Sequence, residues 1–352
     1  MTNPIKVLVV DDSPVVRQAM TTVLGSDPDI QVIGAAGDPY EAVALMRETA
    51  PDVITLDIEM PRMDGVTFLQ KLMAQHPLPV LVCSSYATTG SDVTARVFQH
   101  GAVDIITKPR LGTEAFLAEA RIVICDAVKA AARVRPELLV RRPPGRPAIT
   151  AEAPLTSTPA RARVATERVI VLGASTGGTQ AVSCVLEALP AECPGIVVVQ
   201  HMPEGFTRSF ADTLDSFCRL KVKEAADGDE VLPGRVLIAP GGLHTMIKRQ
   251  GARYFVEVRD GPLVSRHRPS VDVLFRSAAR AVGSGATGVI LTGMGDDGAL
   301  GLKELKDAGA FTIAQDEESS VVFGMPKEAI KLGAAARILP LDQIAGTILN
   351  GR

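Results

Sequence analysis

Short aliphatic runs recur along the chain, separated by stretches in which apolar residues return at helical spacing. In the first third the runs are Ile5–Val10, Ile30–Ala35, Val53–Leu56, Pro79–Cys83 and Val103–Ile106. Strands alternating with amphipathic helices predict a five-stranded doubly wound parallel sheet. The pattern breaks between residues 136 and 159, where Pro136, Pro143, Pro144, Pro147, Pro154 and Pro159 are interleaved with Arg, Ala, Ser and Thr. No apolar period survives there, so an extended linker is expected. The alternation then resumes with Val169–Leu172, Ile196–Val199, Val236–Ala239, Val289–Leu291 and Phe311–Ala314. A second doubly wound α/β domain is expected, interrupted by a hairpin near His244–Lys248 and Tyr254–Arg259. The resulting division is 1–125, a linker over 126–166, and 167–352. No internal repeat joins the halves.

A length of 352 residues suits two domains. Apolar residues make up 46% of the chain and aromatics 4%, with no Trp, so the cores must be aliphatic and aromatic stacking platforms for bases or sugars are disfavoured. With 37 Lys and Arg against 40 Asp and Glu the net charge is −3, which gives no footprint for bulk nucleic-acid binding. The arginines around the linker (Arg133, Arg135, Arg141, Arg142, Arg146, Arg161, Arg163, Arg168) read more simply as a solubilising spacer than as a basic interaction tail. No run is long enough to cross a membrane, and Val7-Leu8-Val9-Val10 before two aspartates is no signal peptide. Five scattered cysteines without a C-x-x-C pair fit reduced thiols in a cytoplasmic protein.

In parallel α/β sheets ligands sit beyond the carboxyl ends of the strands. In the first domain those positions hold Asp11-Asp12, Asp57, Ser84-Ser85 and Lys108-Pro109. Three converging carboxylates repel one another unless a hard divalent cation such as Mg²⁺ neutralises them, and Asp57 then suits a nucleophile toward phosphorus. The motifs V-L-V-V-D-D-S, T-L-D-I-E-M-P-x-M-D-G and T-K-P resemble the response-regulator receiver domain, whose fold is flavodoxin-like. The resemblance implies Asp57 as phospho-acceptor, Asp11, Asp12 and Asp57 as Mg²⁺ ligands with the Glu59 backbone carbonyl, Lys108 on a phosphoryl oxygen and Ser84 as switch hydroxyl. Ile105 stands where relatives often carry an aromatic switch residue. Each Asp alone is an ordinary turn or helix cap; their register sets them apart.

In the second domain, Val169–Leu172 runs into Gly173-Ala174-Ser175-Thr176-Gly177-Gly178, and Thr179–Leu189 follows as a helix. A strand, a sharp turn and a helix with Ser in G-x-S-x-G present a hydroxyl nucleophile beside backbone N–H groups. The same turn can cradle a phosphate, but a dinucleotide site wants an acid after the second strand, where His201 stands. Ser175, His201 and Asp297 all follow strands of one sheet and would share an edge, as nucleophile, base and orienting acid. Their order differs from that of α/β-hydrolases.

The motifs G-A-S-T-G-G, V-V-Q-H-M, I-A-P-G-G-x-H, R-P-S-V-D-V-L-F and L-T-G-M-G-x-D-G resemble the catalytic domain of the CheB chemotaxis methylesterase family. The resemblance implies Ser175 as nucleophile, His201 as general base, Asp297 as orienting carboxylate, and Thr176 and Met294 at the oxyanion and substrate site. Relatives commonly read Asn-Asp where Asp296-Asp297 stands, so sequence alone can confuse the two. His244 is expected to line the pocket, His267 to be structural or substrate-positioning, and His76 and His100 to be surface helix ends.

A phosphorylation-gated methylesterase follows as the expectation: demethylation of glutamate methyl esters, and deamidation of selected glutamines, on methyl-accepting chemotaxis receptors. The partners implied are those receptors and a CheA-type histidine kinase, with Mg²⁺ at the receiver and no cofactor at the hydrolase site. Neither nucleic-acid binding nor membrane insertion is expected, and the chain is expected to be a cytoplasmic monomer. A non-catalytic binding module has no need of an intact Ser175, His201 and Asp297. A transcription regulator lacks a helix-turn-helix candidate.

Overall fold

In a computed structural model the described residues are 3–84, 91–109, 114–134 and 168–350. Ser85 and the linker prolines lie outside them. They form two compact units divided between Val140 and Arg141.

The first unit is the expected five-stranded parallel sheet, in the order β2-β1-β3-β4-β5. Its strands are β1 (Ile5–Val10), β2 (Ile30–Ala36), β3 (Val53–Asp57), β4 (Val80–Ser84) and β5 (Asp104–Thr107). Helices α1 (Pro14–Gly25), α2 (Pro39–Glu48), α3 (Gly65–Gln75), α4 (Ser91–Gln99) and α5 (Glu114–Ala131) connect or follow them. Ser13, Asp38 and Asp64 each cap a helix with a side-chain oxygen, so the turn that leaves a strand also starts the next helix. The last helix continues past residue 125 to Ala131, because Ile124, Cys125, Val128 and Ala131 are all buried. Strand order reverses at β1 and β3, which opens a crevice beyond their carboxyl ends.

The second unit is a seven-stranded, wholly parallel sheet in the order β14-β13-β12-β6-β7-β9-β8. It comprises β6 (Val169–Ala174), β7 (Gly195–Gln200), β8 (Lys221–Glu224), β9 (Arg235–Ile238), β12 (Ala286–Ile290), β13 (Phe311–Gln315) and β14 (Arg337–Leu339). The hairpin β10 (His244–Gln250) and β11 (Arg253–Arg259) forms a separate antiparallel pair, as expected. The helices are α6 (Gly178–Ala188), α7 (Phe206–Phe217), α8 (Val271–Ala281), α9 (Ala299–Asp307), α10 (Met325–Lys331) and α11 (Leu341–Asn350). The edge strands β8 and β14 escape the sequence pattern because they are short and largely polar or exposed, as edges commonly are. Every residue of β6, β7 and β12 is buried, the mark of strands covered on both faces. The chain leaves β6 to one side through β7 and returns on the other at β12, so the reversal lies between β6 and β12.

All five cysteines are free. Burial above all pushes Cys193 and Cys218 up to about 12, so both stay protonated at neutral pH.

Candidate functional site

The second unit gathers its chemistry at the β6/β12 reversal. Ser175 follows β6 and its N–H donates to the Thr292 carbonyl beyond β12 at 3.0 Å. The Gly178 N–H closes the turn onto the Ser175 carbonyl at 2.7 Å. In this turn the left-handed residue is Gly177, with φ 76°, and not the serine. The turn is therefore sharp without a strained nucleophile residue. Gln200, fully buried at the end of β7, donates through Nε2 to the Ser175 carbonyl at 2.9 Å and to the His201 carbonyl at 3.1 Å. One amide thus ties the serine turn to the histidine.

Opposite the serine, Gly293 comes so close that an added Cβ would stand 2.7 Å from the Ser175 Cβ. This approach brings Met294 beside the turn. The Ser175 N–H is already spent on Thr292, whereas the Thr176 and Met294 N–H groups donate no hydrogen bond among the described residues.

His201 Nε2 lies 2.7 Å from Asp297 Oδ2. Because the carboxylate accepts, Nε2 carries the proton and the lone pair is on Nδ1, which is buried and without a hydrogen-bond partner. No hydrogen bond yet joins Nδ1 to Ser175. Asp297 is 1% exposed and also accepts from Ser270 Oγ at 2.7 Å, Val271 N at 2.7 Å and Asp272 N at 3.0 Å, the capped start of α8. Burial raises the Asp297 carboxyl, but the hydrogen bond and charge of His201 and the donors at the helix start together hold it below the usual carboxylate value. Asp296 is exposed, so the two neighbours are not interchangeable.

Both ring nitrogens of His244 are engaged, Nε2 donating to Pro262 O at 2.8 Å and Nδ1 accepting from Ser270 N at 3.2 Å. His267 stacks on His201. His76 is exposed at the end of α3, and His100 is half-buried in the turn after α4. Sequence reasoning passed over Gln200 and Ser270, although both sit in quoted motifs. A Ser immediately before the apolar period of α8 is a legible helix cap.

The first unit brings its predicted residues together at the β1/β3 crevice. Lys108 Nζ reaches Asp11 Oδ2 at 2.8 Å and Asp57 Oδ2 at 2.7 Å. Burial raises the Asp57 carboxyl and outweighs the Lys108 hydrogen bond and charge, with Asp11 adding to the rise. Lys108 itself is raised: burial lowers it, but the hydrogen bonds and charges of Asp11 and Asp57 prevail. The Glu59 N–H donates to Asp57 Oδ1 at 3.2 Å, and the Lys108 N–H donates to the carbonyl of buried Ser84 at 3.1 Å. Asp11, Asp12 and Asp57 each offer a carboxylate oxygen within 4.8 Å of the others, a hard-oxygen set that fits a divalent cation. Ile105 is buried within β5. Among the described residues, no helix is long and apolar enough to cross a membrane.

Residues 170–348 match the CheB methylesterase family and residues 7–119 the response regulator receiver domain. A protein-glutamate methylesterase/protein-glutamine glutaminase of Anaeromyxobacter dehalogenans is 63% identical, over 99% of this chain and 96% of the relative. One from Geobacter metallireducens is 60% identical over 98% of both chains. The Thermotoga maritima CheB methylesterase catalytic domain, 43% identical, superposes with a TM-score of 0.51 over 52% of this chain and 97% of that domain.

Proposed function

The chain belongs to the CheB methylesterase family, with a receiver domain ahead of the catalytic one, and from that premise we propose a phosphorylation-activated hydrolase of glutamyl methyl esters and glutaminyl amides on chemoreceptors. The observation that carries this reading is the His201 ring, anchored on Asp297 through Nε2 with a buried, unpartnered Nδ1, on a residue whose backbone N–H donates to the Ala174 carbonyl next to Ser175.

Ser175 Oγ attacks the γ-carbonyl carbon of the glutamyl ester while His201 Nδ1 takes its proton. Asp297 keeps the proton on Nε2 and stabilises the imidazolium. The Thr176 and Met294 N–H groups face the oxyanion of the tetrahedral intermediate. Collapse breaks the ester C–O bond, and the methoxide leaves as methanol with the proton from Nδ1. Water, deprotonated by the same nitrogen, then attacks the acyl-serine and releases the glutamyl acid with Ser175 restored. A glutamine follows the same course with ammonia as leaving group.

In the receiver, Asp57 takes the phosphoryl group from a CheA-type histidine kinase. Asp11, Asp12 and Asp57, with the Glu59 carbonyl, would hold Mg²⁺, which when bound neutralises the charge gathered around the phosphoryl oxygens. Lys108 pairs with one of those oxygens and the Ser84 hydroxyl with another. Free thiols and a receptor substrate support a cytoplasmic setting for this reading.

The test is methanol release from methylated receptor membranes, with Mg²⁺ and a small phosphodonor present or absent. Release by the intact protein should rise with phosphodonor, and Ser175→Ala should abolish it at unchanged melting temperature. Full activity in Ser175→Ala would remove the serine from its role.

A further inference from the structure

The His267 ring lies flat on that of His201, with centroids 3.7 Å apart and planes 12° from parallel. His201 is otherwise fixed through a single side-chain hydrogen bond, to Asp297. One such bond leaves the ring free to pivot about the N···O line, because the terminal torsion of a histidine is broad. A flat contact removes that freedom.

His267 is delivered by an unusual piece of backbone. Val264 and His267 exchange hydrogen bonds, N to O at 3.1 Å and 2.9 Å, around two central residues. These are Ser265 with φ 50° and Arg266 with φ 67°, both left-handed and neither glycine. Paired positive φ values are those of a type I′ turn, which favours Asn and Gly; other residues hold it only where surrounding contacts impose it. Those contacts are present. Ser265 Oγ donates to Asp272 Oδ2 at 3.0 Å, and His244 clasps the loop at Pro262 and Ser270. The Asp272 backbone N–H and Ser270 Oγ donate to Asp297, so the start of α8 fixes both the carboxylate and the stacked ring. Burial first, then the neighbouring His201 and Arg266, push His267 down to about 3 against the pull of Asp297, so its ring stays neutral at neutral pH.

We propose that His267 is a positioning residue for the general base: its stacked ring sets the plane of the His201 imidazole, keeping Nε2 on Asp297 and Nδ1 open for the serine proton. This rests on the esterase reading above. No hydrogen bond joins the two rings, so any flat ring of similar size should serve.

The test uses the full-length protein with phosphodonor. His267→Ala should lower kcat about ten- to a hundred-fold with KM within about two-fold, the scale of a misplaced catalytic group. His267→Phe should recover kcat to within about three-fold of the unaltered protein. Should His267→Ala fail to fold, His267→Leu, which keeps bulk without a flat face, takes its place with the same expectation. Ring-nitrogen NMR shifts of His201, recorded without substrate, should show one tautomer protonated at Nε2 in the unaltered protein and in His267→Phe, and a tautomer mixture in the variant without the flat ring. Unchanged kcat and tautomer in that variant, or a folded His267→Phe as slow as it, would overturn the inference. Absence of methanol from the unaltered protein overturns the esterase reading instead, and the NMR comparison still decides the stack.

Discussion

Asp297 shows how much a single side chain depends on its surroundings. Its two oxygens accept hydrogen bonds from His201, Ser270, Val271 and Asp272, and nothing in the sequence around Gly295-Asp296-Asp297 discloses that convergence. Asp297→Asn should present an amide where His201 needs an acceptor, drive the proton to Nδ1 and lower kcat by about 10⁴-fold, as loss of the orienting carboxylate does in related triads. Methanol release measures it. A second expectation concerns His267, whose folded value of about 3 lies below its ordinary 6.5. Above pH 6.5 both folded and unfolded states leave it neutral. As pH falls from 6.5 toward 3 the unfolded chain takes up a proton that the folded one refuses, so stability falls across that window. The melting temperature should drop with pH there, and less steeply in His267→Phe; parallel slopes would show that the ring is not held neutral. Ser175, His201 and the Asp57 cluster were legible because each stands at the end of a strand. The tautomer and the stack were not, since both arise between segments far apart in the chain.

At the scale of elements, the strands with uniform apolar runs were readable, while β8 and β14 were not, because an edge strand has one neighbour and little to bury. The start of α8 carries more than its own helix. Ser270 accepts from the Val273 N–H as cap and donates to Asp297 Oδ1. Ser270→Ala should therefore destabilise the catalytic unit by about 1 kcal/mol, the usual cost of a lost cap, read from denaturant unfolding. It should also lower kcat, because Asp297 loses a donor; a stability loss with unchanged kcat would confine Ser270 to capping. The hairpin β10 and β11 was visible from its two alternating runs, yet its use of His244 to clasp the loop before α8 was not.

At the scale of the whole molecule, the receiver and the hydrolase are separate compact units, and the proposed function makes phosphorylation of the first the input to ester hydrolysis by the second. Asp57→Asn should abolish stimulation by phosphodonor while leaving basal methanol release in place. A fragment of residues 167–352 should release methanol constitutively; less activity than the unphosphorylated full chain would count against restraint by the receiver. The sequence by itself determined the class of both sheets and the residue types at their strand ends. Those follow from local periodicity and from turn chemistry that every strand-to-helix passage repeats. Only the tertiary structure decided which strands are neighbours, and therefore that β6 and β12 meet, that Asp297 rather than Asp296 is buried, and that His267 covers His201. These are contacts between segments remote in sequence, fixed by where burial can be completed.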